Sequence, residues 1–451
     1  GFAFGGLMNS RQAAFKVLLG LEQSPKRLEK LLDQELGRAG ESASRDRSLA
    51  VNLVYTVLRH RLWLDHLLSK FVSRSLDKLD LEVLIVLRIG AADLTCLRTP
   101  DHAAVHATVE LAKATPAKRA QGLVNGVLRA MTRGWQQVKL PGKPGAPERL
   151  ALEYSHPKWL VQELLAVCPG QEVANWLQAN QAEPPTAVRV NTLKKSIDDV
   201  AAMLAPVVES MEPHALAPES LVLQGAHGPA RDLPGFGEGL WQAQDPGASA
   251  LSRLLGVEPG MRVLDLCAGA GGKTGHLAAL MQNQGDLVAV EPSKGRARGL
   301  GFNLKRLGIT CATVMQADGR KLPDDIGLFD RIIIDAPCTG LGVAGRRPDV
   351  RWRRRPEDAA RLAALQLEIY QAAARLLKPG GAMLYCTCTV TRAENQQVVE
   401  ALMLAEPSLK IEWDLQAAGP SAGAVGPDGF FRTMPHIHHC DAFFGARLMR
   451  G

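Results

Sequence analysis

No long hydrophobic run exists in this chain. Its most apolar segment, Leu81 to Leu97, is interrupted by Glu82, Arg88 and Asp93, so it falls short of the roughly 18 uncharged residues that a membrane-spanning helix needs. Paired cysteines are also missing. Cys96, Cys168, Cys267, Cys311, Cys338, Cys386, Cys388 and Cys440 are scattered and never spaced CxxC, which excludes a disulfide framework and a structural zinc site of the usual kind. His436, His438, His439 and Cys440 are possible ligands, but residues so nearly consecutive cannot all face one ion, and no metal is expected. Internal repeats and low-complexity tracts are absent. Gly1 to Leu7 lack both a basic start and an apolar run, so residues 1–10 read as a tag remnant and a start at Met8, and a reducing cytoplasm is the expected setting.

What is present is a chain of 451 residues, enough for about three domains at ~150 residues each. Charge is divided unevenly along it: residues 1–150 carry 23 Lys and Arg against 14 Asp and Glu, a balance of +9, while residues 151–451 carry 30 against 32, a balance of −2. A basic region beside a near-neutral body suggests a polyanionic partner. Residues 11–135 repeat apolar positions at helical spacing (Ala14, Val17, Leu18 and Leu21; Val51, Val54, Val57 and Leu58) and predict an all-α domain of five to seven helices. Three prolines and two glycines in Leu140–Pro147 mark a linker over 136–147. Residues 148–235 read as a small α+β domain, helical at Trp159–Val167 and Val173–Asn180, with a strand at Val188–Asn191.

Beyond Gly235 short apolar strands alternate with longer helices, the pattern of an α/β, doubly wound, Rossmann-like domain over 236–451. The expected strands are 262–266, 287–290, 311–314, 331–334 and 382–386, with a further core strand at Asp441–Phe444. In such a sheet a ligand lies across the carboxyl ends of the strands. The first strand runs into Cys267-Ala268-Gly269-Ala270-Gly271-Gly272-Lys273-Thr274, a glycine-rich turn that lets backbone amides approach a ligand at a helix start. Its spacing fails the Walker A pattern, which excludes a nucleoside triphosphatase. The second strand ends in Glu291, suited to a ribose diol. The third leads to Asp318 and the fourth to Asp335 with Cys338 close behind. A run of arginines around an aromatic, Arg346, Arg347, Arg351, Trp352 and Arg353, reads as an RNA contact through phosphate pairing and stacking.

The segments Val263–Thr274, Asp330–Cys338 and Tyr385–Thr389 together resemble the RsmB/NOL1/NOP2/Sun family of RNA 5-methylcytosine methyltransferases. Val124-Asn125-Gly126-Val127-Leu128-Arg129 extends the likeness to the helical domain, which resembles NusB. One departure is that Gly269-Ala270 stands where the family usually has Ala-Pro. The resemblance implies S-adenosyl-L-methionine as cofactor, bound by Cys267 to Lys273, Glu291, Asp318 and Asp335. It implies a monomer acting on small-subunit ribosomal RNA, unassembled or partly assembled; transfer RNA or another RNA, or an adaptor without catalysis, are the alternatives. Cytosine C5 is too weak a nucleophile to take a methyl group unaided, and a thiolate added at C6 makes it an enamine carbon. By resemblance Cys388 attacks, Cys338 assists release and Asp335 meets cytosine N3, with Cys386 left as a packing thiol.

Overall fold

The computed structural model describes residues 10–37, 44–97, 99–226 and 228–451; the expected tag remnant Gly1–Leu7 and start Met8 lie outside them. The chain divides into two compact units, one reaching to Gln181 and including Arg347–Arg353, the other comprising Ala182–Arg346 and Arg354–Gly451. Among the described residues no helix is long and apolar enough to cross a membrane.

In the first unit, helices span Ser10–Gln23, Leu28–Leu36, Ser44–Phe71, Leu81–Thr95, Asp101–Lys113 and Gln121–Thr132. Leu81–Thr95 is the central one. It buries side chains on every side, from Val83 to Leu94, as a helix enclosed by others must. Two of the three charges that interrupt its apolar run are consumed internally: Arg88 donates to both oxygens of Asp65 at 2.7 and 2.8 Å, and Asp93 accepts from Arg11 at 2.8 Å and from Thr99 at 2.7 Å. Partnered in this way, buried charges are tolerated. After the coil at 138–146, helices follow at Pro147–Glu153, Lys158–Leu165 and Gly170–Ala179. These were expected to open the α+β domain, but their contacts group them with the helices: Pro147–Glu153 packs on Ser44–Phe71, and Ser155 Oγ accepts from the Leu62 amide at 2.8 Å.

The second unit holds two sheets. Strands β1 (Thr186–Val190), β2 (Ser210–His214), β3 (Ala217–Gln224) and β4 (Trp241–Ala243) form an antiparallel sheet in the order β2-β3-β1-β4. Only β1 was expected from the sequence. The large sheet comprises β5 (Arg262–Asp265), β6 (Asp286–Val290), β7 (Ala312–Met315), β8 (Phe329–Asp335), β9 (Leu377–Thr387), β10 (Leu409–Ile411), β11 (Phe431–Arg432) and β12 (Phe444–Arg450). Its order is β10-β12-β9-β8-β5-β6-β7, with β11 paired to β12. Strands β5 to β9 pair in parallel, and β12 runs antiparallel to β9.

Alternate residues of the parallel strands enter separate cores. Val263, Leu287, Ala289, Ile333 and Leu384 enter one, and Leu264, Val288, Val290, Ile332, Ile334, Met383 and Tyr385 the other, so both faces are covered as the apolar runs require. The strand order reverses between β5 and β8, and in such a sheet the ligand crevice lies outside the carboxyl ends at that point. The last strand begins at Phe444; Asp441, Ala442 and Phe443, expected within it, form the approach to it.

Candidate active site

Four strand ends surround the crevice. At the end of β5, Asp265 is fully buried and accepts the Thr274 hydroxyl at 2.6 Å; burial pushes its carboxyl up to about 6. The turn that follows uses left-handed glycines, with φ of 58° at Gly269 and 88° at Gly271. A Cβ at Gly271 would strike Leu300 at 2.6 Å, whereas one at Gly269 would meet nothing within 4 Å. Gly271 is thus needed for packing, and Gly269 leaves the turn open. Cys267 and Ala268 lead in, with the Ala268 amide bound to Val290 O at 3.0 Å; the Ala270 carbonyl accepts from Asn303 at 2.9 Å. The helix Gly272–Leu280 then begins, aiming free amides and the positive end of its dipole outward.

Lys273, in that helix's first turn, crosses to the end of β8, where its ammonium lies 2.7 Å from Asp335. Burial works most strongly against its charge, but Asp335, together with the neighbouring Cys386 and Cys388, raises its pKa on balance. At the end of β6, Glu291 is 2% exposed and accepts from the Ser293 amide at 2.8 Å and Arg296 at 3.0 Å. Beyond β7, Gly319 approaches Leu266 so closely that a Cβ would lie 2.9 Å away. The neighbouring Asp318 is gripped by Arg320 through both oxygens, at 3.1 and 2.7 Å, and these hydrogen bonds hold its carboxyl down at about 2.

The two loop cysteines meet: Cys338 Sγ, after β8, lies 3.3 Å from Cys388 Sγ, after β9. The hydrogen bond with Cys388, reinforced by burial, raises the Cys338 pKa well above its ordinary value. Either thiol can donate in this contact. Cys386 stands apart from this pair. It sits within β9, pairs in register with Asp335, is fully buried and points its thiol at Ile334 O, 3.4 Å away. Two residues on, the chain has left the strand, and Cys388 O is fixed by the Gly342 amide at 2.9 Å.

Burial removes Arg351 from the RNA contact expected of the arginine run, and the neighbouring members are partnered within the protein. Arg351 is completely buried, with its guanidinium donating to Asn180 O at 2.6 Å. Trp352 packs against the helical core and donates its indole N–H to Leu58 O at 2.7 Å. Arg353 donates to Lys26 O, Arg347 pairs with Glu29 at 2.9 Å, and Arg346 pairs with Asp441 at 3.0 Å and Asp245 at 3.3 Å. The basic spacing was real, but amphipathic side chains bury their stems wherever carbonyls can take the charge. Sequence reasoning also missed Asp265, Arg320 and Glu394. Asp265 had a signal, an acid inside the apolar run Val263–Leu266; Glu394 had none, since it lies in a polar stretch that reads as surface. Among the described residues, no group of three or more His, Cys, Asp or Glu side chains is arranged to hold a metal ion.

Comparison with known proteins matches three regions: NusB family over residues 8–133, a ferredoxin-like domain of RsmF/B-like methyltransferases over 156–228, and 16S rRNA methyltransferase RsmB/F over 252–449. The ferredoxin-like match begins before Gln181, so it includes two helices whose contacts lie with the helical unit; its sheet is β1 to β3. A probable ribosomal RNA small subunit methyltransferase B of Synechocystis is 32% identical, over 98% of this chain and 100% of its own. The ribosomal RNA small subunit methyltransferase B of Klebsiella pneumoniae is 36% identical, over 90% and 91%. Among solved structures, PH0851 shares the fold with a TM-score of 0.79 over 97% of this chain and 98% of its own at 24% identity. NSun6 from Pyrococcus horikoshii, crystallised with SFG, does so with a TM-score of 0.58 over 65% and 98% at 23% identity. Matched along nearly its whole length by relatives above 30% identity, and folded as a helical domain, a small antiparallel sheet and a Rossmann-like domain, the chain belongs to the RsmB/F family of 16S rRNA methyltransferases.

Proposed function

We propose that this protein methylates C5 of a cytidine in small-subunit ribosomal RNA through a transient bond between Cys388 and C6, working in the cytoplasm on unassembled or partly assembled subunits. The observation that carries the reading is the pair of thiols 3.3 Å apart on the loops after β8 and β9, beside the Lys273–Asp335 pair.

The crevice suits S-adenosyl-L-methionine. Glu291 is a buried acceptor for a ribose diol; the amides from Cys267 to Gly272 suit a carboxylate; Asp318, shared with Arg320, suits an adenine amino group. Bound there, the cofactor supplies an electrophilic methyl group.

The protein's own groups manage the rest. Cys388 gives up its proton to solvent and adds as thiolate to C6, and the displaced electron pair moves toward C5 and N3. The Lys273–Asp335 pair holds a proton that N3 shares as charge builds on the ring. Once C5 is methylated, Cys338, as thiolate, takes the C5 proton and becomes a thiol; the electrons left behind restore the C5–C6 double bond and expel Cys388 as thiolate. The target base has to be unstacked first, since a stacked cytosine cannot present C6 to a thiol.

The test uses labelled cofactor and unmodified small-subunit RNA. Cys388→Ala abolishes labelling, and Cys338→Ala accumulates an RNA adduct that survives denaturing electrophoresis. An adduct with Cys388→Ala instead reverses the two roles, and label on DNA alone, or at a position other than C5, ends the reading.

A further inference from the structure

Two thiols on separate loops need something to fix their separation. Glu394 lies six residues beyond Cys388 and is fully buried. One carboxylate oxygen accepts from the Thr339 amide at 2.7 Å and the Gln366 side-chain amide at 3.2 Å. The other accepts the hydroxyls of Thr339 at 2.6 Å, Thr391 at 2.8 Å and Thr389 at 3.3 Å.

Thr339 directly follows Cys338 and Thr389 directly follows Cys388, and their hydroxyls also lie 2.6 Å from each other. Gln366 uses the same amide group to hold Pro337 O at 2.9 Å, on the other side of Cys338. Its carbonyl accepts the Tyr385 hydroxyl at 2.9 Å, and that hydroxyl also bonds the Glu394 carbonyl. The carboxylate is therefore the common acceptor for the residues next to both thiols.

Two N–H groups and the threonine hydroxyls donate to Glu394, so an amide in its place keeps one acceptor oxygen, and its N–H either faces another N–H or donates to hydroxyls that must turn their own hydrogens elsewhere. Burying a charge is costly, and packing alone would be served as well by an apolar side chain. The position calls for two acceptor oxygens aimed at two loops. We propose that Glu394 is a positioning residue that sets the Cys338–Cys388 distance and so governs how a covalent intermediate divides between forming and resolving. The distance claim concerns the protein alone; the consequence for turnover rests on the two-cysteine reading above.

Phenylarsine oxide measures the distance directly, because its arsenic bridges two neighbouring thiols with loss of water. The folded full-length protein, without RNA or cofactor, is expected to take up one equivalent reversibly, and Cys338→Ala to take up none at that site. Glu394→Gln is expected to weaken bridging at least tenfold with circular dichroism unchanged, and to slow single-turnover methyl transfer at least thirtyfold with KM within threefold of the parent. A folded Glu394→Gln protein that binds the arsenical as tightly as the parent overturns the proposal, whatever its activity. Lost bridging with unimpaired methyl transfer instead overturns the link to turnover, while the two-cysteine chemistry is decided by the Cys388→Ala and Cys338→Ala proteins. Should Glu394→Gln fail to fold, Thr339→Val and Thr339→Ser decide: Val is expected to lose bridging and Ser to keep it, and equal bridging by both refutes the role.

Discussion

Both units bury an ionisable side chain completely, and they meet its charge in different ways. In the helical unit the Arg351 guanidinium reaches main-chain carbonyls: Asn180 at 2.6 Å, with longer contacts to Arg59 and Ser155 at 3.5 Å. Burial lowers its pKa to about 9. In the catalytic unit the Glu394 carboxylate is met mainly by side chains, three threonine hydroxyls and an amide. Carbonyls at helix ends are set by the backbone, so a cation that draws on them pins chain segments together. Hydroxyls belong to the loops that bear them, so an anion that gathers hydroxyls brings particular loops together. The first arrangement serves architecture, and the second fixes a distance between reactive groups.

The contrast is sharpest at the loops. Gly342 has Ala442 O and Cys388 O where a Cβ would lie, at 2.1 and 2.8 Å. Gly342→Ala should therefore cost ~3 kcal/mol or more by overpacking and abolish arsenical bridging; a urea midpoint equal to the parent's would show that the thiol loops are looser than their contacts imply.

Acid should separate the units next. Burial, aided by Arg351 and Arg59, lowers His60 from 6.5 to about 4, and burial takes His156 well below its ordinary value. Their contribution to the helical unit is full above pH 6.5 and drains away as the pH falls through 4, a loss of about 3 kcal/mol for His60 alone. In the catalytic unit His276, lowered mainly by burial to about 4, loses in the same window. Asp265 has the opposite sign. Raised from 3.8 to about 6, it favours the native state most below pH 3.8, so acidification restores what His276 removes. Hydrogen exchange between pH 7 and 4 should show the helical unit opening first; equal loss in both units would contradict this balance.

Arg351→Ala leaves three carbonyls unmet and should destabilise helical-unit peptides by about 2 kcal/mol in the same exchange measurement, with Lys a poor substitute because it lacks the forked donors. The smallest effect is a gain. Gly126 lies inside the helix Gln121–Thr132, and a Cβ there would meet nothing within 4 Å, so Gly126→Ala should raise the unfolding free energy by about 0.5–1 kcal/mol, read as a higher urea midpoint. A loss there would reveal a contact made only in a complex.

The parallel strands were legible because each is a short apolar run between turn residues: expected 287–290 is observed at Asp286–Val290, and expected 331–334 at Phe329–Asp335. The glycine turn and the two cysteine loops were legible for the same reason, since chemistry in this fold sits where strands end. Strand β2 was not, because four of its five residues are at least partly exposed and one is a proline, so no alternation announces it. Arg351 and Trp352 were misread because a basic run looks alike whether it faces water or carbonyls. Glu394, within Thr391-Arg392-Ala393-Glu394-Asn395, reads as a surface loop until Thr339 and Gln366, distant in sequence, close over it.

Strand β12 carries a consequence for the order in which the protein becomes competent. It lies antiparallel beside β9, with Phe444 opposite Thr387 and Gly445 opposite Cys386, and just before it the Ala442 amide closes on Gly342 O at 3.0 Å. Both contacts brace the strand and loop that present Cys388, yet they come from residues translated more than fifty positions later. The parallel strands can associate as they emerge, in chain order, but the thiol pair gains its outer brace only from a segment made well after both cysteines. A nascent chain thus exposes its cysteines on an unfinished sheet edge until β12 arrives.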